Sequence, residues 1–270
     1  MQLLSVFVIL TSVLLCYVSG EELEAFEFPK QSQPDKPKYF DDYGHPNTHT
    51  GQTASNSKFM QPSTSVLSEL FRSYMLTMRD LGIPTWLAHG SLLSWHWGRK
   101  VFPWETDIDM HVNLPDLQFL ARFYNMTVYD FRFHDTLGGP NNQYLLDINP
   151  NHPERVVGRL DNNRIDARWV DMSNGAYIDI TALHLFEAHA REKGRPLLWQ
   201  TKDGHVYDDA DVYPLQRTTF EGVEALVPKN AKKLTAKEYS DESLTQTVFR
   251  VYKFDHTENQ WIAVTPEATN

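Results

Sequence analysis

Apolar positions recur at helical spacing in "STSVLSELFRSYMLTMRDLGI", where Leu67, Leu70, Phe71, Tyr74, Met75, Met78 and Leu81 fall on one stripe. Ser63 or Thr64 is placed to cap this helix and Gly82 to end it. A Met and aromatic stripe of this kind reads as core. After Pro84, "TWLAH" has the character of a short buried strand. Gly90-Ser91 then turns the chain into a short helix, "LLSWHWG". Alternation takes over in "DIDMHV", with Asp107, Asp109 and His111 on one face and Ile108, Met110 and Val112 on the other. "LPDLQFLARFY" predicts another helix, and Gly138 to Asn163 predicts loops. "RIDARWVD" and "AYIDITALH" predict two strands joined as a hairpin by a turn at Ser173-Asn174-Gly175. In the second, Tyr177, Asp179 and Thr181 share a face opposite Ile178 and Ile180. From Asp208 onward short strands and helices mix.

The pattern changes at the start of the chain. Leu3 to Val18 is nearly all apolar, too short for a stable span of about 20 residues, and small residues follow at Val18 and Gly20. Residues 1–20 therefore read as a signal peptide, with an uncleaved anchor as the rival. No stable membrane span is expected elsewhere. Residues 21–61 are polar and Pro-rich and read as a flexible leader. The expected domain covers residues 62–265. The sequon Asn125-Met126-Thr127 is compatible with the secretory pathway, either its Golgi or ER lumen or release from the cell.

Composition narrows the classes. The chain has 270 residues, 41% of them hydrophobic and 13% aromatic, enough for a core. A formal net charge of −10 gives no general attraction for nucleic acid or anionic membrane. The single cysteine, Cys16, lies inside the signal segment, so the mature chain has no disulfide, cysteine nucleophile or cysteine zinc site. No H-E-x-x-H, G-x-S-x-G, Walker A or Rossmann glycine pattern is present.

The chemistry concentrates in "HGSLLSWHWGRKVFPWETDIDMHV", His89 to Val112. Residues i and i+2 of a strand point the same way, so Asp107 and Asp109 aim into one space. Oxygen ligands so placed suit Mg²⁺ or Mn²⁺. If the Asp179 strand lies beside them, a third carboxylate joins, and three such groups repel unless a cation offsets them. A lone D-x-D is also common on solvent-facing strands. Gly90 and Ser91 open a helix, where free amides can hold phosphate. Arg99 and Lys100 are candidates for phosphate oxygens, or a solvated turn. Trp104 could stack on a base or sugar, or fill a core. Asp166 and Arg168 are candidates for donor or acceptor binding, or a structural salt bridge.

These features in this order resemble the LicD family of nucleotidyltransferase-fold proteins, which includes bacterial phosphocholine transferases and animal fukutin-related proteins. The likeness is greatest to its fungal branch associated with mannosylphosphate transfer to glycans. "RIDARWVD", "AYIDITALH", "YDDADVYPLQRTTFEGVEALVPKN" and "LTAKEYSDESLT" extend the match over about residues 62 to 250. Glu105 and Thr106 depart from the paired acids of many members, and Tyr239-Ser240 replaces a Tyr-Gly. The resemblance implies an α/β (α+β) fold, a mixed sheet flanked by helices. It implies a divalent metal, Mg²⁺ or Mn²⁺, at Asp107, Asp109 and Asp179, with donor phosphate at Gly90 and Ser91. It also implies transfer of a phospho-alcohol or phospho-sugar from a nucleotide diphosphate donor, a CDP-alcohol or GDP-mannose, to a glycan hydroxyl. Three alternatives stay open: a non-catalytic regulator on the same fold, a D-x-D nucleotide-sugar glycosyltransferase, and a secreted effector or structural protein.

Overall fold

The structure is a computed structural model that describes residues 39–40, 62–132, 142–155, 163–186 and 196–264. The expected signal segment and Cys16 lie outside the described residues, as does the leader apart from Tyr39 and Phe40. No described helix is long and apolar enough to cross a membrane.

Helix α1 spans Thr64–Leu81. The Ser63 hydroxyl accepts the Val66 amide at its start, and Gly82 ends it in the left-handed region at φ 72°. Leu67, Leu70, Phe71, Tyr74 and Met78 are wholly buried, as the stripe requires. Strand β1, Thr85–Leu87, then leads into helix α2, His89–Gly98. Gly90 and Ser91 therefore lie within the first helical turn and do not form a turn ahead of it. The bend is made by His89, at φ 44°.

Strand β2, Ile108–Asn113, and helix α3, Leu114–Phe123, follow. Strands β3 (Thr127–Phe131), β4 (Asn142–Ile148), β5 (Ala167–Asp171) and β6 (Tyr177–Leu185) come next. The β5–β6 hairpin closes at the expected turn, where Asp171 accepts the Ser173 amide and Asn174 accepts the Ala176 amide. β4 occupies part of the stretch expected to be loops. Its run from Tyr144 to Ile148 is buried on both faces, so it shows no alternation that would mark a strand.

These strands form one mixed sheet in the order β1–β2–β6–β5–β4–β3. β7 (Leu198–Gln200) pairs with the far end of β6, and β8 (Val206–Asp208) pairs with β7. The remaining chain is a short helix α4 (Asp209–Val212), a hairpin of β9 (Gln216–Phe220) and β10 (Val223–Val227), and helix α5 (Ala231–Tyr239). A three-stranded meander closes it: β11 (Val248–Phe249), β12 (Tyr252–Asp255) and β13 (Gln260–Ala263). The α+β class, a mixed sheet flanked by helices, is the one expected. β2 and β6 run parallel, with Asp109 in register with Asp179, and β5 sets Arg168 against Asp179 on the other side. Ile108, Met110, Ile178 and Ile180 fill the core beneath them.

Candidate functional site

The register places Asp109, Asp179 and Arg168 in one row across three neighbouring strands, with Asp107 just before β2. Residues paired in register point to the same face, so the row is a direct product of the alternation in "DIDMHV" and "YIDIT". Arg168 donates from Nε to Asp179 Oδ1 at 2.5 Å and from Nη2 to Oδ2 at 3.3 Å. Its guanidinium lies 3.7 Å from the Tyr177 ring centre and 4.9 Å from that of Phe40. Ser91 Oγ accepts the Asp109 amide at 2.9 Å, which ties the first turn of α2 to the strand that carries the aspartate.

Gly90 faces the same space. A Cβ there would meet Glu105 Oε1 at 3.6 Å and Asp109 Oδ2 at 3.8 Å. Glu105 thus joins the aspartates as a fourth carboxylate. Burial pushes the Asp107 carboxyl up to about 7, the Asp179 and Glu105 charges add to the rise, and Arg168 opposes it. Burial also holds Asp109 well above the usual carboxylate range; His89 opposes, while Asp107, Asp179 and Glu105 reinforce. Burial raises Glu105 as well, against Arg250. Carboxylates driven up by one another and by a dry setting are a donor set that a hard divalent cation fits, because the cation removes the repulsion.

The other expected residues separate. Arg99 and Lys100 are exposed and stand at the opposite end of α2 from Gly90. Lys100 lines a cleft of about 350 Å³ with Phe102, Glu221, Asn259 and Trp261, and none of Glu105, Asp107, Asp109 and Asp179 borders it. Trp104 is stacked on Phe102 with ring centres 4.5 Å apart and is flanked by Phe249, Tyr252 and Trp261. Asp166 is fully buried. It accepts from Arg155 at 3.0 Å and from the Ala182 amide at 2.8 Å, and it pairs with Lys202 at 2.9 Å. Gly90, Ser91, Asp107, Asp109, Asp179 and Arg168 are the residues the fold brings together.

A second group of polar residues lies beside them. His89, at the mouth of α2, hydrogen-bonds through Nδ1 to Glu238 Oε1 on α5 at 2.6 Å, and its Nε2 is 3.6 Å from Asp203 Oδ2. Among the described residues, His89, Asp203 and His205 are the set of three donors whose atoms all lie within 4.8 Å of one another; Asp107, Asp109 and Asp179 are spread wider. Sequence reasoning missed His89, Glu105, Asp203, His205 and Glu238. Two of them were within reach, since His89 abuts Gly90 and Glu105 stands two residues before Asp107. Asp203 and Glu238 arrive from distant elements, and no spacing announces them.

A mixed sheet thus sets carboxylates on two neighbouring parallel strands, with a helix opening over them. Residues 82–230, more than half of the chain, match the family described as LicD/FKTN/FKRP, nucleotidyltransferase domain. The chain belongs to the LicD family. It is 33% identical over 126 residues to mannosyltransferase regulator 4 of Saccharomyces cerevisiae, and 32% identical over 126 residues to mannosyltransferase regulator 14 of the same yeast. Each match covers 47% of this chain, but only 10% and 13% of the relatives, so the chain spans about a tenth of their length. The family and the fungal, mannosylphosphate-related branch read from the sequence are both supported by these matches.

Proposed function

We propose that this chain is a metal-dependent phosphotransferase of the secretory pathway. It moves a phospho-alcohol or phospho-sugar from a nucleotide diphosphate donor, a CDP-alcohol or GDP-mannose, to a glycan hydroxyl. The observation that carries the reading is the parallel register that sets Asp109 beside Asp179 beneath the first turn of α2, with Asp107 just before β2. Asp107 and Asp109, with Asp179 as third ligand, would hold Mg²⁺ or Mn²⁺. A cation bound there supplies positive charge to the donor phosphates and to the departing nucleotide.

The remaining work falls to the chain's own groups. Gly90 leaves room beside Asp109 for phosphate oxygens, which the amides of the first helical turn would bind. Ser91 fixes Asp109 through its backbone. Arg168 holds the Asp179 carboxylate in one orientation. Asp179 accepts the proton of the acceptor hydroxyl as that oxygen attacks phosphorus in line. The new bond joins glycan oxygen to phosphorus, the phosphoanhydride bond breaks, and nucleoside monophosphate leaves.

A second reading draws on the names of both yeast relatives, which are regulators: a protein that binds donor or glycan and modulates another enzyme. The two are separated by incubating the full chain with Mg²⁺ or Mn²⁺, the CDP-alcohol or GDP-mannose donor and a mannan acceptor. The expected result is nucleoside monophosphate release that needs the cation and vanishes in Asp107→Asn. Release of nucleoside diphosphate would replace the proposal with sugar transfer. Donor binding without any release would favour the regulator.

A further inference from the structure

We propose that His89, Asp203 and His205 form a second cation site, for a transition metal of the zinc type, beside the carboxylate cluster and chemically distinct from it. The first support is convergence. Asp203 Oδ2 lies 3.6 Å from His89 Nε2 and 3.9 Å from His205 Nε2. A tetrahedral ion with ligands at about 2.0–2.1 Å sets its ligand atoms about 3.3 Å apart, so these two pairs need to close by only about half an ångström.

The second support is that each ligand is already aimed by a partner on its other side. Glu238 takes the Nδ1 side of His89, which leaves Nε2 facing Asp203. This carboxylate–histidine pairing is the usual outer support of a metal-bound imidazole. On Asp203, Oδ1 accepts the Thr201 hydroxyl and the His205 amide, which leaves Oδ2 facing the two rings. The turn that allows this is closed by the Gly204 amide on Thr201 O, with Gly204 at φ 95°, a backbone conformation suited to glycine. Asp203 and His205 thereby present their side chains to the same space.

The third support is an atom without a partner. His89 Nε2 is buried and makes no hydrogen bond. A charged imidazole would leave its Nε2–H unbonded here, since 3.6 Å is too long for a hydrogen bond. A neutral imidazole with its lone pair on a cation leaves nothing unsatisfied. Two imidazoles and one carboxylate are a donor set for zinc, in contrast to the all-oxygen carboxylate cluster. The His205 side chain is 40% exposed, which gives an ion a way in and leaves a fourth position for water. An ion there would pin the turn at residues 201–205 to the first residue of α2, and so fix Gly90, the next residue.

The test uses the full chain, stripped of metal and then given Zn²⁺ in the presence of excess Mg²⁺, which fills the all-oxygen cluster. Bound zinc is counted by elemental analysis after desalting, and Co²⁺ is used in parallel for its visible absorption. The expected result is one zinc per chain in the wild type and in Asp107→Asn, with affinity at least about tenfold weaker in His205→Ala and in Asp203→Asn. The cobalt band should be lost in His205→Ala, whose half-exposed side chain can be removed without opening the core. Unchanged zinc affinity in both His205→Ala and Asp203→Asn would overturn the proposal. So would zinc that departs with Asp107→Asn, or a folded wild type that binds none.

Discussion

Gly90 shows how much one missing side chain contributes. It lies in a helix, where glycine costs roughly 1 kcal/mol relative to alanine, yet any larger residue enters the space before Glu105 and Asp109. Gly90→Val should leave the melting temperature nearly unchanged and raise the donor KM by about tenfold or more, measured as nucleoside monophosphate release against donor concentration. An unchanged KM would remove the phosphate from this position. Asp166 makes the opposite case. It is sealed between Arg155 and Lys202, so Asp166→Asn leaves two cations unmatched in a dry setting. The expected loss is about 3–5 kcal/mol in urea unfolding. At this scale the D-x-D pair Asp107 and Asp109 was legible from the residues, while Asp179 joined it only through the family resemblance, because its strand had to lie beside theirs. The partners of Asp166 were not legible, since Lys202 reaches it from a distant turn.

Among the elements, α2 carries a constraint at each end. Its first turn holds Ser91 against Asp109, and its last residue, Gly98, lies against the turn between β12 and β13. A Cβ on Gly98 would come within 2.6 Å of the Asn259 carbonyl oxygen, a backbone atom that cannot step aside. Gly98→Ala should therefore lower stability by about 1–3 kcal/mol, seen as a lower melting temperature, despite alanine's better helix propensity. A melting temperature at or above that of the wild type would mean that the meander shifts freely. Helices were the best-read elements: α1 was legible from cap to cap, because its stripe, its capping serine and its terminal glycine all agree. β4 was missed because a strand buried on both faces loses the two-residue rhythm. α5, Ala231–Tyr239, begins before the stretch expected to form the closing helix and ends at Ser240, where φ reaches 80°.

For the molecule as a whole, acid sensitivity has a readable component at the far end of β6. Burial holds the His184 imidazole down to about 4, with Arg155 adding to the effect and Asp166 opposing it. The unfolded chain takes up this proton near pH 6.5 while the folded one refuses it until about pH 4. The stability tied to a neutral His184 is thus fully present above pH 6.5 and declines as pH falls toward 4. His184→Gln should lose less stability than the wild type between pH 7 and pH 5, measured as the difference in urea midpoints. Equal losses would show that the imidazole is hydrated. Individual helices and strands were legible because their periods are local properties, whereas the class of fold came from the resemblance to the LicD family. The strand order was not legible, because nothing in the spacing states that β2 skips past β3, β4 and β5 to lie along β6.

That skip has a kinetic meaning. Every other pairing among the described strands is antiparallel and joins strands consecutive in the sequence, and those closed by turns of five residues or fewer, such as β5–β6, β7–β8 and β9–β10, can zip locally. The β2–β6 pairing has to close a long loop first, and it is also the contact that sets Asp109 beside Asp179. The carboxylate cluster is accordingly expected to be one of the last features a refolding chain acquires. Recovery of ligand binding after dilution from denaturant would then time the end of folding and lag behind the return of helical signal.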